Sequence, residues 1–221
     1  AIEEACRNPH LDMRALHVHF GAPLRTEEQL RQLLDETLDL AHVAAERFGF
    51  ELDILDLGGS LAIPTVQALS SKDKRLNMTF LADLPPPDPG RTLEIRAYVR
   101  LVRRLVRAGC QRRGLPVPRI VLEPGRALTG NTQLLLTTVH TLKHASNAAP
   151  YAILDAGINL AQSVQSEFHQ VYAATKMHAS NYGSYRLAGP ICSPGDVLYW
   201  GCTLPELAPG DTLAIMDAGA Y

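Results

Sequence analysis

The chain has 221 residues, 46% of them hydrophobic and 20% charged, with a formal net charge of −2; this composition can bury a core and suits one large or two modest domains. No basic run stands out, no apolar stretch is long enough to span a bilayer and no secretory signal opens the chain, so neither nucleic acid nor a membrane is an expected partner. Cys6, Cys110, Cys192 and Cys202 show no C-x-x-C spacing, which points to a reduced, cytoplasmic setting.

Residues 16–20 form a short β-like run that ends at Gly21. Thr26 followed by Gln29 has the form of a capping box. Leu30, Leu33, Leu34, Leu38, Ala41, Ala45 and Phe48 give the helix that follows its apolar stripe, and Gly49 suits its stop. Residues 53–57 read as the next strand, closed by Gly58 and Gly59. A polar segment containing Pro85, Pro86, Pro87 and Pro89 reads as loop. Helix returns over 93–110, with Ile95, Val99, Val102 and Val106 on one side. Residues 119–122 are a third strand, ending at Glu123-Pro124-Gly125-Arg126. This alternation is that of a parallel α/β structure.

After Arg126 the rhythm changes. Residues 134–142, 151–154, 171–174, 197–200 and 212–216 are β-like, separated by Pro-Gly and Gly-Asp pairs. The expected organisation is therefore an α/β part over 1–127 and a mainly β domain over 128–221. Three α/β units are too few to close an eight-stranded barrel. Ala1 in place of a methionine, and Tyr221 inside what reads as a motif, lead us to expect a chain cut at both ends.

Ligands of parallel α/β structures bind at the C-terminal ends of the strands. Three clusters lie at such ends: His17-x-His19-x-Gly21, Asp56-x-Gly58-Gly59 and Glu123-Pro124-Gly125-Arg126. Gly58 and Gly59 would let backbone N–H groups approach a phosphate. Arg126 can add a charged contact to the same group, or simply pair with a nearby carboxylate. Glu123 can hold a protonated ring nitrogen, or cap the backbone that follows. His17 and His19 share one face of their strand, an arrangement that can bind a divalent metal, although no third or fourth ligand is evident at the other strand ends. His19 can equally stack on an aromatic cofactor.

Together these clusters resemble the fold-type III pyridoxal-phosphate decarboxylases, the family of the diaminopimelate and ornithine decarboxylases. His19-Phe20-Gly21 is similar to the family's H-x-G-S segment and Asp56-Leu57-Gly58-Gly59 to its D-x-G-G-G phosphate loop. Glu123-Pro124-Gly125-Arg126 matches E-P-G-R, and Asp155-Ala156-Gly157 with Asn159 matches D-A-G-x-N. Gly189-Pro190-Ile191-Cys192 with Asp196 matches G-P-x-C-x-x-x-D, and Gly219-Ala220-Tyr221 the family's G-A-Y. The resemblance implies the C-terminal part of an alanine-racemase-like (β/α)8 barrel followed by a mainly β domain, acting as a homodimer with shared active sites on an amino-acid substrate.

The resemblance also assigns the residues. Gly58, Gly59, Gly125, Arg126 and Tyr221 would hold the phosphate of pyridoxal 5'-phosphate, and His19 would stack on its ring. Glu123 would keep the ring nitrogen protonated, which favours decarboxylation over racemisation. Cys192 would manage the proton at Cα, with Ser193 and Asp196 at the substrate; the alternative for Cys192 is a small buried hydrophobe. The Schiff-base lysine of the family has no counterpart, since Lys72, Lys74, Lys143 and Lys176 stand at no matching position. By itself the chain is expected to be inactive. Ala22 replaces the serine of H-x-G-S and Ser60 the third glycine of the phosphate loop. Ser193 stands where an acid usually follows the cysteine, and residues 160–163 lack an Arg-Pro pair. These departures suggest a less common amino acid as substrate, in a specialised biosynthesis. Two other readings remain at this point: a non-catalytic homologue that acts by binding a partner, and a metal-dependent hydrolase using His17 and His19.

Overall fold

The computed structural model describes residues 1–21, 23–146, 148–180 and 182–221. The chain divides into two compact units, one of Ala1–Ala62 and Gly90–Ala127, the other of Ile63–Pro89 and Leu128–Tyr221. The expected division at 127/128 thus needs a correction: residues 63–89 group with the second unit, through contacts described below.

In the first unit, α1 (Ile2–Arg7) precedes β1 (Ala15–His17), α2 (Glu27–Phe48), β2 (Ile54–Asp56), α4 (Ile95–Arg113), β3 (Arg119–Val121) and the short α5 (Gly125–Thr129), which begins in this unit. The three strands form one parallel sheet in the order β1-β2-β3, with Leu16 opposite Leu55 and Leu55 opposite Ile120. The α2 start follows from its cap. The Thr26 hydroxyl accepts from the Gln29 N–H at 3.2 Å, and the Gln29 side chain accepts from the Thr26 N–H at 3.1 Å. Leu30, Leu34, Leu38, Ala41 and Ala44 of α2 pack with Tyr98, Leu101, Val102, Leu105 and Val106 of α4 over Leu55 and Leu57. Leu38 is fully enclosed, so truncating it to alanine would cost about 2–5 kcal/mol.

The second unit holds α3 (Ser71–Phe80) and six strands: β4 (Leu135–Ala145), β5 (Ala148–Leu154), β6 (Val171–Ala173), β7 (Tyr182–Ala188), β8 (Val197–Pro205) and β9 (Thr212–Ile215). They form one mixed sheet in the order β6-β9-β4-β5-β7-β8, in which β5 and β7 run parallel and the other pairs antiparallel. Val139, Leu154, Leu187, Leu213 and Ile215 form its enclosed core. Helix α3 lies within the segment read as loop. Ser70 caps it, accepting from the Asp73 N–H at 3.1 Å, and buried Asn77 joins it to β8. The Asn77 carboxamide donates to the Ala82 and Gly201 carbonyls at 2.8 and 2.6 Å and accepts from the Trp200 N–H at 3.1 Å. These bonds explain why 63–89 belongs with the β unit. Strand β7 was also not foreseen.

Candidate active site

The three strand-end clusters all belong to the first unit. β1 stops at His17, but the ladder runs one residue further, since the Val18 N–H donates to the Asp56 carbonyl at 2.9 Å. His17 and His19 therefore still project to one side, with ring centroids 6.5 Å apart and planes 22° from parallel. Asp56, at the end of β2, ties this corner together. One of its oxygens accepts from the Gly58 N–H at 2.9 Å and the other faces His17 Nδ1 at 3.1 Å. Burial pushes the Asp56 carboxyl up, but the Gly58 N–H, His17 and a smaller contribution from Glu123 outweigh it, and its pKa lies below the usual carboxylate value.

The glycines of the loop are required by close approach. Gly58 has φ +58°, and a Cβ there would lie 2.6 Å from His19 Nδ1; at Gly59 a Cβ would lie 2.5 Å from the Glu123 carbonyl oxygen. The Glu123 N–H in turn donates to the Gly58 carbonyl at 2.8 Å. Residues 58–59, His19 and Glu123 thus meet at the C-terminal ends of three adjacent strands, as the sequence implied. Ser60, in place of a third glycine, carries a left-handed φ of +65° at a cost of about 1–2 kcal/mol. Its hydroxyl lies 2.9 Å from His19 Nε2, so the imidazole is held by a side chain that sequence reasoning treated only as a departure. Ala22 lies outside the described residues.

His17, His19 and Glu123 each offer a ligand atom, and these atoms lie within 4.8 Å of one another. No third carboxylate or imidazole near the two histidines was evident in the sequence; Glu123 stands there, and taking the three strand ends as one rim would have placed it. The donor set also fits pyridoxal phosphate: a flat imidazole and a carboxylate for the ring, beside two glycines at which any Cβ would meet His19 or the Glu123 carbonyl. Gly125 and Arg126 follow in the same unit, at the start of α5.

Cys192, Ser193, Asp196 and Tyr221 belong to the second unit. Cys192 is exposed, on the connection between β7 and β8. The Ser193 hydroxyl accepts from the Gly195 N–H at 3.3 Å, inside its own turn. Asp196 requires a correction. It is only 2% exposed, and its two oxygens accept from the Ile158 and Ile191 N–H groups, each at 2.8 Å. A Cβ on Gly157 or Gly189 would collide with that carboxylate. Asp196 is therefore enclosed between the D-A-G and G-P-x-C segments and is not presented to a substrate. Asp155, at the end of β5, is exposed but is likewise fixed by hydrogen bonds. It accepts from the Thr137 hydroxyl at 2.6 Å and the Thr138 N–H at 2.8 Å, bonds that hold its carboxyl below the usual range.

Residues 24–219 match the family described as pyridoxal-dependent decarboxylase, C-terminal sheet domain, and the chain belongs to this family. It is 31% identical over 208 residues to a diaminopimelate decarboxylase of Archaeoglobus fulgidus, which covers 93% of this chain and 43% of that protein. It is 26% identical to that of Bacillus subtilis, over 100% of this chain and 46% of the relative. Among solved structures, diaminopimelate decarboxylase from M. jannaschii superposes with a TM-score of 0.71 at 23% identity, over 100% of this chain and 45% of that one. An arginine decarboxylase from Paramecium bursaria Chlorella virus shares the fold with a TM-score of 0.70 at 18% identity, over 100% and 52% of the two chains. The chain spans about half the length of the curated relatives it matches.

Proposed function

We propose that the protein to which this chain belongs is a pyridoxal-phosphate-dependent amino-acid decarboxylase, in which β1, β2 and β3 form part of a (β/α)8 barrel. The observation that carries the reading is the meeting of His19, Gly58, Gly59 and Glu123 at adjacent strand ends, in a chain of this family. Pyridoxal phosphate, when bound, supplies the electron sink that takes up the charge left at Cα as carbon dioxide departs. His19, held by the Ser60 hydroxyl at Nε2, would stack on its ring. Glu123 keeps a proton on the ring nitrogen. Gly58, Gly59, Gly125 and Arg126 would hold the phosphate. Cys192 delivers or takes the proton at Cα. A homodimer with shared sites lets the Cys192 loop serve a partner's cofactor, and four unpaired cysteines suit a cytoplasmic setting.

The curated relatives quoted above carry the name diaminopimelate decarboxylase, which favours diaminopimelate over the less common amino acid that Ser193 and residues 160–163 led us to expect. Nothing in the comparisons favours the partner-binding or the hydrolase reading. The test is intact mass before and after borohydride reduction with pyridoxal phosphate, made on the protein as purified from its source. A mass well above 24.1 kDa with a stable pyridoxyl adduct, and carbon dioxide release from diaminopimelate, is the expected result. Absence of an adduct from a protein longer than this chain would overturn the reading.

A further inference from the structure

Cys192 stands on an exposed turn, yet the turn is fastened at both ends, at its start by its own last residue, Asp196, and at its end by Gln165 from outside the loop. At its start the Ile191 N–H donates to the enclosed Asp196 carboxylate at 2.8 Å. Inside it, the Ser193 N–H donates to the Ile191 carbonyl at 2.7 Å and the Asp196 N–H to the Ser193 carbonyl at 3.0 Å. At its end the chain passes Gln165, the last residue of a short 3-10 turn (Gln162–Gln165) that follows the D-A-G-x-N segment. The Gln165 carboxamide nitrogen donates to the Gly195 carbonyl and, at 3.0 Å, to the Val197 carbonyl. Its two protons are thus spent on the two carbonyls that flank Asp196. Val164 beside it is 2% exposed and anchors the turn in the core of the sheet.

We propose that Gln165 is a positioning residue for Cys192: one carboxamide, anchored in the core through its neighbour, sets where the thiol-bearing loop stands. No other side-chain type of that length does this. Glutamate has no N–H to give, and methionine fills the same space without a donor. The inference rests on the proposed role of Cys192 only for its catalytic meaning, because the clamp itself is visible in the structure.

The test uses amide exchange and alkylation of Cys192 by iodoacetamide in the full-length protein, comparing the wild type with Gln165→Ala and Gln165→Met. Loss of one or two ordinary hydrogen bonds should speed exchange at the Ser193 and Asp196 amides about tenfold. The alkylation rate of Cys192 should change several-fold, while the amides paired between β7 and β8 keep their protection. Unchanged exchange and alkylation in the Gln165→Met variant, whose packing is preserved, would overturn the proposal. In the active protein, Gln165→Met should lower kcat with little change in KM or in cofactor affinity. A wild type without decarboxylase activity would sink the proposed function and leave the clamp standing; an unaltered loop would do the reverse.

Discussion

Replacing Asp196 by asparagine tests the reassignment of this residue from substrate contact to internal staple. The carboxylate is 2% exposed and accepts two backbone N–H bonds, from Ile158 and Ile191, each at 2.8 Å. Asparagine keeps one acceptor and turns the other into a donor, so one of the two amides faces an N–H instead of an oxygen. A buried donor left without its acceptor costs about 1–3 kcal/mol, which corresponds to a fall in melting temperature of roughly 2–12 °C. Thermal melting followed by circular dichroism measures the total, and amide exchange at Ile158 and Ile191 locates it. The amide opposite the new NH2 should exchange faster, and Asp196→Ala should free both. Wild-type melting with both amides still protected would refute the staple. Loss of activity without loss of stability would return Asp196 to the substrate.

The crowding around that carboxylate predicts non-additivity. Gly157→Ala should cost about 1–3 kcal/mol by overpacking, and in urea titrations part of that cost should vanish in the Gly157→Ala, Asp196→Ala double variant. Alkylation should begin at exposed Cys192 and leave Cys110, which is buried, and Cys202, whose thiol burial pushes up to about 12; peptide mapping after brief iodoacetamide treatment checks the order. Asp56 has a folded pKa below its unfolded value, so its stabilising contribution is full at neutral pH and is lost as the pH falls through the carboxylate range and below. The melting temperatures of the wild type and Asp56→Asn should differ at neutral pH and converge in acid.

Where local chemistry decides structure, the sequence was readable. The Thr26–Gln29 box and the leucine stripe located α2 almost to the residue, and the three strand-end clusters converge as their placement implied. Helix α3 escaped because Asn77 is its only buried residue; what fastens it is a set of bonds to residues more than a hundred positions away, which no periodicity records. Strand β7 carries Gly183, Ser184 and Arg186 among its apolar residues, which blurs the alternation. At the site, the motif G-P-x-C-x-x-x-D gave the identity of Asp196 but not its direction. Only its enclosure by Gly157 and Gly189 shows that it looks inward. Gln165 belongs to no motif, and its two carbonyl partners lie thirty or more residues away.

The chain passes between its two units three times, at 62/63, 89/90 and 127/128, so neither unit is a continuous stretch of polypeptide. A single proteolytic nick near 127 would therefore not yield two independent domains. The C-terminal fragment would leave α3 and Asn77 behind on its partner, and the N-terminal fragment would carry a helix whose hydrogen-bonding partners are on the other piece. Such fragments are expected to be held together after cleavage, and to recover their structure when mixed rather than apart. Insertions or fusions intended to separate the two units would have to respect all three crossings.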